Sequence, residues 1–175
     1  MKFIGILLLI TSCAGNQVND LFKINTDSDP RKTLTTDDAF LNYIADFEID
    51  YAYYLNAEIN VHDIPINFTN ELEKEYLGAC YYYGEKRKWK EIKINTKYWT
   101  NLDEQQRKAL IYHELGHCAL NREHKDDYHR SFPVSIMNSY HIGVNYEKYS
   151  GEYDYELFTH DHSELTQSID KDLEL

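Results

Sequence analysis

Residues 101–124 read NLDEQQRKALIYHELGHCALNREH, and this stretch decides the fold. Asn101 can cap a helix, and Glu104 stands three residues on, as in a capping box. The spacing predicts a helix from Leu102 to about Leu120. Inside it, His113-Glu114-Leu115-Gly116-His117 is an H-E-x-x-H motif. Residues four apart lie on one face of a helix, one turn apart. Two imidazoles so placed can reach a single Zn²⁺, with Glu114 beside the metal's open position. There the carboxylate can take a proton from a metal-activated water and pass it to a leaving amine.

A catalytic zinc takes three protein ligands. The third must come from outside the helix face. His124 follows His117 by seven residues, and a helix ending near Leu120 or Asn121 could turn back and present it. Glu123 is the alternative. Asp126 and Asp127 come next, and either could orient a ligand imidazole. Cys118 adjoins His117 but points about 100° away on the helix, which argues against ligation. His62, His129, His160 and His162 read as surface or packing residues.

Around this helix the chain reads as α+β. Phe40, Tyr43, Ile44, Phe47 and Tyr51 recur at helical spacing, so a long helix is expected to about Ala57, capped by Thr36 or Asp37. Residues 64–68 (IPINF) alternate as a strand, with Pro65 marking its start or an edge. Residues 79–83 form a second strand, 84–88 a charged turn, and 89–94 (WKEIKI) a third strand. A last helix is expected near 155–169, with Leu157, Phe158, Leu165 and Ile169 on its inner face.

The chain has 175 residues and a mass of 20.8 kDa, enough for one compact domain. Asp plus Glu is 30 against 18 Lys plus Arg, a formal charge of −12. That excludes a basic footprint for nucleic acid or an anionic membrane surface. The 16 tyrosines suit amphipathic packing. Residues 1–13 read MKFIGILLLITSC: one lysine, an apolar run too short to span a bilayer, then small residues and Cys13. Residues 1–12 therefore fit a secretory signal, 13–34 a polar tether, and 35–175 the folded domain. Cys80 and Cys118 remain, either bridged in an oxidising compartment or as two buried thiols.

Two resemblances add to this. Residues 10–13 resemble a bacterial lipobox, which implies lipidation of Cys13 and a lipid-anchored protein of the bacterial cell envelope. HELGHCALNREH resembles the motif of the metzincin metallopeptidases, H-E-x-x-H-x-x-G-x-x-H. It departs twice: Leu120 stands at the glycine's register, with Asn121 beside it, and His124 comes one residue late. Ser135-Ile136-Met137-Asn138 looks like the metzincin Met-turn, and Met137 is the only methionine besides the initiator. Tyr140 lies one residue later than the tyrosine that contacts the metal or transition state in some metzincins. A distant glutamate ligand, as in thermolysin-like enzymes, would be Glu147 or Glu156. More narrowly, the pattern looks like a group of bacterial metallopeptidases of unassigned substrate.

The resemblance implies a small metzincin-like zincin domain over about residues 64–158. A short, mostly antiparallel or mixed sheet would pack with an N-terminal helix, the H-E-x-x-H helix and a C-terminal helix. WKEIKI would be the edge strand above the cleft, pairing with substrate. One Zn²⁺ per chain would be held by His113, His117 and His124, with Glu114 as general base. Peptide or protein would be the substrate, the lipid anchor the only membrane contact, and the chain a monomer. Two rivals stand: a non-catalytic zinc-binding surface lipoprotein, and an interaction module in which HELGH is accidental.

Overall fold

The structure is a computed structural model that describes residues 29–73, 76–140, 143 and 145–174. The expected signal over 1–12, Cys13 and most of the tether lie outside the described residues.

A three-stranded sheet and two long helices carry the domain. The order is α1 (Leu41–Leu55), β1 (Ile66–Thr69), β2 (Gly78–Tyr83), β3 (Trp89–Asn95), α2 (Thr96–Trp99) and α3 (Glu104–Cys118). Then come β4 (Tyr128–His129), β5 (Phe132–Pro133), α4 (Ser150–Thr159) and α5 (Ser163–Leu173). This is the expected α+β class with a mixed sheet.

The sheet runs β1-β3-β2. β3 is parallel to β1 and antiparallel to β2. WKEIKI is thus the central strand and not the edge. Alternation shows that a strand has one apolar face, but says nothing of its neighbours. Here Ile92 of β3 has Ile66 of β1 on one side and Cys80 of β2 on the other. Ile66, Ile92 and Ile94 are fully buried, each worth about 1.5–3 kcal/mol of transfer free energy. The edge strand that packs on α3 is β2.

The first helix is preceded by one turn of 3-10 helix at Asp38–Phe40. Thr36 and Asp37 do not cap it. Thr36 Oγ1 accepts from Ile66 N (3.2 Å) and Asp37 Oδ2 from Phe68 N (2.9 Å). Both side chains satisfy the outer edge of β1 instead, a stronger demand than a solvated helix end. The inward face behaves as its spacing predicts. Phe40 packs on Phe68 and Trp99 (centroids 4.6 and 5.1 Å apart), and Phe47 on Tyr112 and Phe158 (both 5.2 Å).

α3 starts two residues later than expected. Asp103 is its cap, accepting from Gln106 N (2.8 Å), while Gln106 Oε1 accepts from Asp103 N (3.1 Å). Asn101 is drawn off to the carbonyl of Lys97 by the short α2. Every residue from Ala109 to Cys118 is buried, so α3 runs through the middle of the domain. The expected C-terminal helix is two helices. His160, at φ 65°, breaks the run, and Asp161 Oδ1 accepts from Ser163 N (2.8 Å) to start α5. Leu157, Phe158, Leu165 and Ile169 are buried as expected. Periodicity alone does not reveal such a corner.

Cys80 and Cys118 are joined in a disulfide, Cα atoms 5.6 Å apart, which staples β2 to the end of α3. No described helix is long and apolar enough to cross a membrane.

Buried tyrosines need partners for their hydroxyls. Tyr112 donates to Asp50 (2.7 Å) and Tyr146 to Asp154 (2.6 Å), while Lys108 bridges the two carboxylates at 3.1 and 3.2 Å. Burial pushes Asp154 up to about 6, against the pull of Lys108. The native state therefore keeps this proton to higher pH than the unfolded chain. The stabilisation is complete below about 3.8 and is lost as pH rises through about 6. Denaturant unfolding of wild type and Asp154→Asn should show it. Between pH 4 and 7 the wild type should lose about 2 kcal/mol relative to the variant.

Candidate metal centre

α3 places His113 and His117 one turn apart, and both are buried. The helix then has to stop so that the chain can return. Its last four carbonyls all find donors: Leu115 O from Ala119 N (2.7 Å), Gly116 O from Arg122 N (2.9 Å), His117 O from the Tyr82 hydroxyl (2.7 Å) and Cys118 O from Lys90 Nζ (2.5 Å). Asn121 then takes the left-handed conformation, φ 53°, which asparagine tolerates better than most residues. The turn brings His124 back over the helix.

The three imidazoles converge. His117 Nε2 lies 3.1 Å from His113 Nε2 and 3.2 Å from His124 Nε2. The three residues form a group able to hold a metal ion. The other ring nitrogens decide what the contacts mean. His113 Nδ1 lies 2.8 Å from the carbonyl of Ile136, and His117 Nδ1 lies 2.6 Å from that of Arg122. A carbonyl only accepts, so each Nδ1 must carry the proton and donate it. Each Nε2 then presents a lone pair. Burial holds His113 far below the ordinary histidine range, and the neighbouring His117 adds to this. Burial also takes His117 down to about 4 and lowers His124. Neutral imidazoles with converging lone pairs repel one another, and a cation between them removes that repulsion.

Glu114 is fully buried. A Cβ on Gly78 would stand 2.8 Å from Glu114 Oε1, so the carboxylate lies against the start of β2 where only glycine leaves room. Gly116 has a matching reason. A Cβ there would meet Met137 Sδ at 2.6 Å, so the methionine packs on the bare helix backbone between the two histidines. Met137 sits in a tight turn. Its N–H donates to Ser135 Oγ (3.0 Å), Asn138 N donates to Ser135 O (3.2 Å), and the Ile136 carbonyl holds His113.

Sequence reasoning offered Glu156 as a distant ligand, but the structure gives it other partners. It is fully buried and binds Arg122 Nη2 (2.7 Å), Ser135 Oγ (2.5 Å) and Lys125 Nζ (3.4 Å). Arg122 also donates to the carbonyls of Glu156 and Leu157 at the end of α4. Glu156 thus holds both the loop that fixes His117 and the turn that fixes His113. Arg122 escaped sequence reasoning, because nothing local marks a buried arginine. Glu147 and Glu123 are exposed. Asp126 clamps Ser139 through its N–H (2.7 Å) and hydroxyl (3.0 Å), and Asp127 accepts from Val134 N through its carbonyl. Tyr140 is 41% exposed at the end of the same turn. Of the other histidines, His129 meets Asp170 (2.8 Å), His162 meets Lys125 (3.0 Å) and His62 meets Glu48 (3.5 Å).

Competition titration with a chromogenic chelator will rank these residues. His124→Ala should lose metal affinity far more than Glu123→Ala. Glu156→Gln, acting through the two carbonyls, should cost about ten- to a hundredfold. Equal losses for His124→Ala and Glu123→Ala would contradict the geometry.

Residues 69–171 match the model of a family described as "putative phage metallopeptidase". The span covers more than half of the chain and includes all three histidines, Glu114 and Met137. No curated protein matches, and no solved structure does. On the strength of that match, the chain belongs to this phage metallopeptidase family.

Proposed function

We propose that the protein is a zinc-dependent endopeptidase of metzincin-like design. One observation carries the reading: two lone pairs, fixed by two backbone carbonyls, converge with the ring of His124 in a group able to hold a metal ion. A three-histidine set suits Zn²⁺, which takes three protein ligands and keeps one position open. When bound, the cation polarises a carbonyl and acidifies water. Glu114 takes the proton from the attacking water and delivers it to the leaving amine nitrogen. Its burial between α3 and β2 would strengthen a hydrogen bond to that water, since little bulk water competes. The substrate backbone pairs with β2, which among the described residues has a strand neighbour on one side only. The left-handed Asn121 replaces the metzincin turn glycine, and Met137 beneath the histidines corresponds to the Met-turn. Tyr140, three residues after Met137, is proposed as the transition-state contact by its likeness to the metzincin tyrosine.

The protein is further proposed to be exported and held in the bacterial cell envelope through lipidated Cys13. The Cys80–Cys118 bridge supports this, because disulfides persist in such compartments. In cells, the full chain should partition with membranes, and Cys13→Ser should shift it to the soluble fraction. A soluble wild type would remove the anchor from the reading.

Cleavage of a mixed peptide library by the zinc-loaded chain tests the chemistry. Wild type should cleave, chelator should abolish cleavage, and Glu114→Gln should lower kcat at least about a hundredfold while retaining zinc. A zinc-loaded wild type that cleaves nothing would favour the non-catalytic zinc-binding lipoprotein.

A further inference from the structure

A small open-mouthed hollow of about 80 Å³ lies beside the histidines. Tyr82 and Arg87 line one side, and His117, Arg122, Glu123 and His124 the other. We propose that this hollow is a subsite for a carboxylate of the substrate peptide, anchored by Arg87. The proposal rests on the peptidase reading and names the substrate class it favours.

Arg87 is the distinctive group. In a chain with 30 acidic and 18 basic residues, it makes no salt bridge among the described residues. Its guanidinium instead lies 4.4 Å from the centre of the Tyr82 ring. That contact fixes the cation without using its hydrogen-bonding fork, which stays available for a carboxylate. Tyr82 is itself fixed, because its hydroxyl donates to the His117 carbonyl. A continuous set of contacts therefore runs from the metal helix through Tyr82 to Arg87. The turn behind it is strained. Lys86 and Arg87 both have left-handed backbones, φ 56° and 57°, a conformation that costs non-glycine residues roughly 1 kcal/mol or more each.

Charge decides which ligand the hollow favours. Arg122 is already matched by Glu156. Glu123 is exposed, so water screens it. Arg87 offsets its charge, and a divalent cation held by neutral imidazoles makes the hollow positive overall. A substrate strand lying on β2 passes this hollow as it approaches the histidines. Either an acidic side chain or the chain-end carboxylate supplies the ligand.

Three peptide libraries separate these sources. The first is amidated and contains Glu and Asp. The second is amidated with Gln and Asn in their place. The third is the second with a free C-terminal carboxylate. Cleavage by the zinc-loaded full chain is read by mass spectrometry, and binding to zinc-loaded Glu114→Gln by fluorescence anisotropy. The first library should win over the second by about fivefold in both readouts. An advantage of the third over the second identifies the chain end as the source. Arg87→Ala should bring the ratio to about one, and Arg87→Glu should reverse it toward Lys-containing peptides. Equal binding of all three libraries by Glu114→Gln, or a preference that survives in Arg87→Glu, overturns the proposal. Failure of the wild type to cleave any library sinks the peptidase reading, while the binding ratio still decides the role of Arg87.

Discussion

Two hydrogen bonds from ring N–H groups to backbone carbonyls govern this molecule. They fix His113 and His117 as neutral tautomers with Nε2 aimed inward. Each carbonyl belongs to a loop, and loops drift unless something holds them. Glu156 does the holding at both points, through Ser135 for one loop and Arg122 for the other. A buried carboxylate with charged partners is expensive to desolvate and adds little net stability, but breaking it leaves a stranded charge. Its value here is positional.

The edge strand is tied to the metal helix at every second residue. Gly78 makes room for Glu114, Cys80 bonds to Cys118, and Tyr82 caps the His117 carbonyl. Side chains alternate along a strand, so these three share the face toward α3. The consequence is mechanical. The strand proposed to align substrate cannot shift relative to the helix that carries the chemistry, because each contact would have to break. Tyr82 then carries the register outward to Arg87.

Much of this was legible in the sequence, for reasons that also mark where legibility ends. The H-E-x-x-H spacing, the return of His124 and the left-handed Asn121 are local, and local geometry writes itself into residue type. The inner face of α1 was readable from its period. The central place of β3 was not, since strand order depends on partners far along the chain. The cap moved from Asn101 to Asp103 because α2 claimed Asn101, and Thr36 and Asp37 were claimed by β1. The corner at His160 hides inside an unbroken apolar period. Glu156 was noticed as a carboxylate, but only packing reveals that Arg122 and Ser135 occupy it.

The occupation of Glu156 has a chemical consequence. A carboxylate ligand would cancel half the charge of a divalent cation and weaken its pull on water. With Glu156 committed to Arg122, the converging set consists of imidazoles alone. A cation held there has no anionic ligand, and the nearby Glu114 carboxylate offsets only part of its charge. The rest of the chain's negative charge is diffuse, a formal −12 overall. Diffuse surface charge is screened within about 8 Å at physiological salt, whereas the buried site is not. An acidic protein can therefore carry a locally positive cleft. That contrast would let an anionic group be accepted beside a bound cation on a protein whose formal charge is −12.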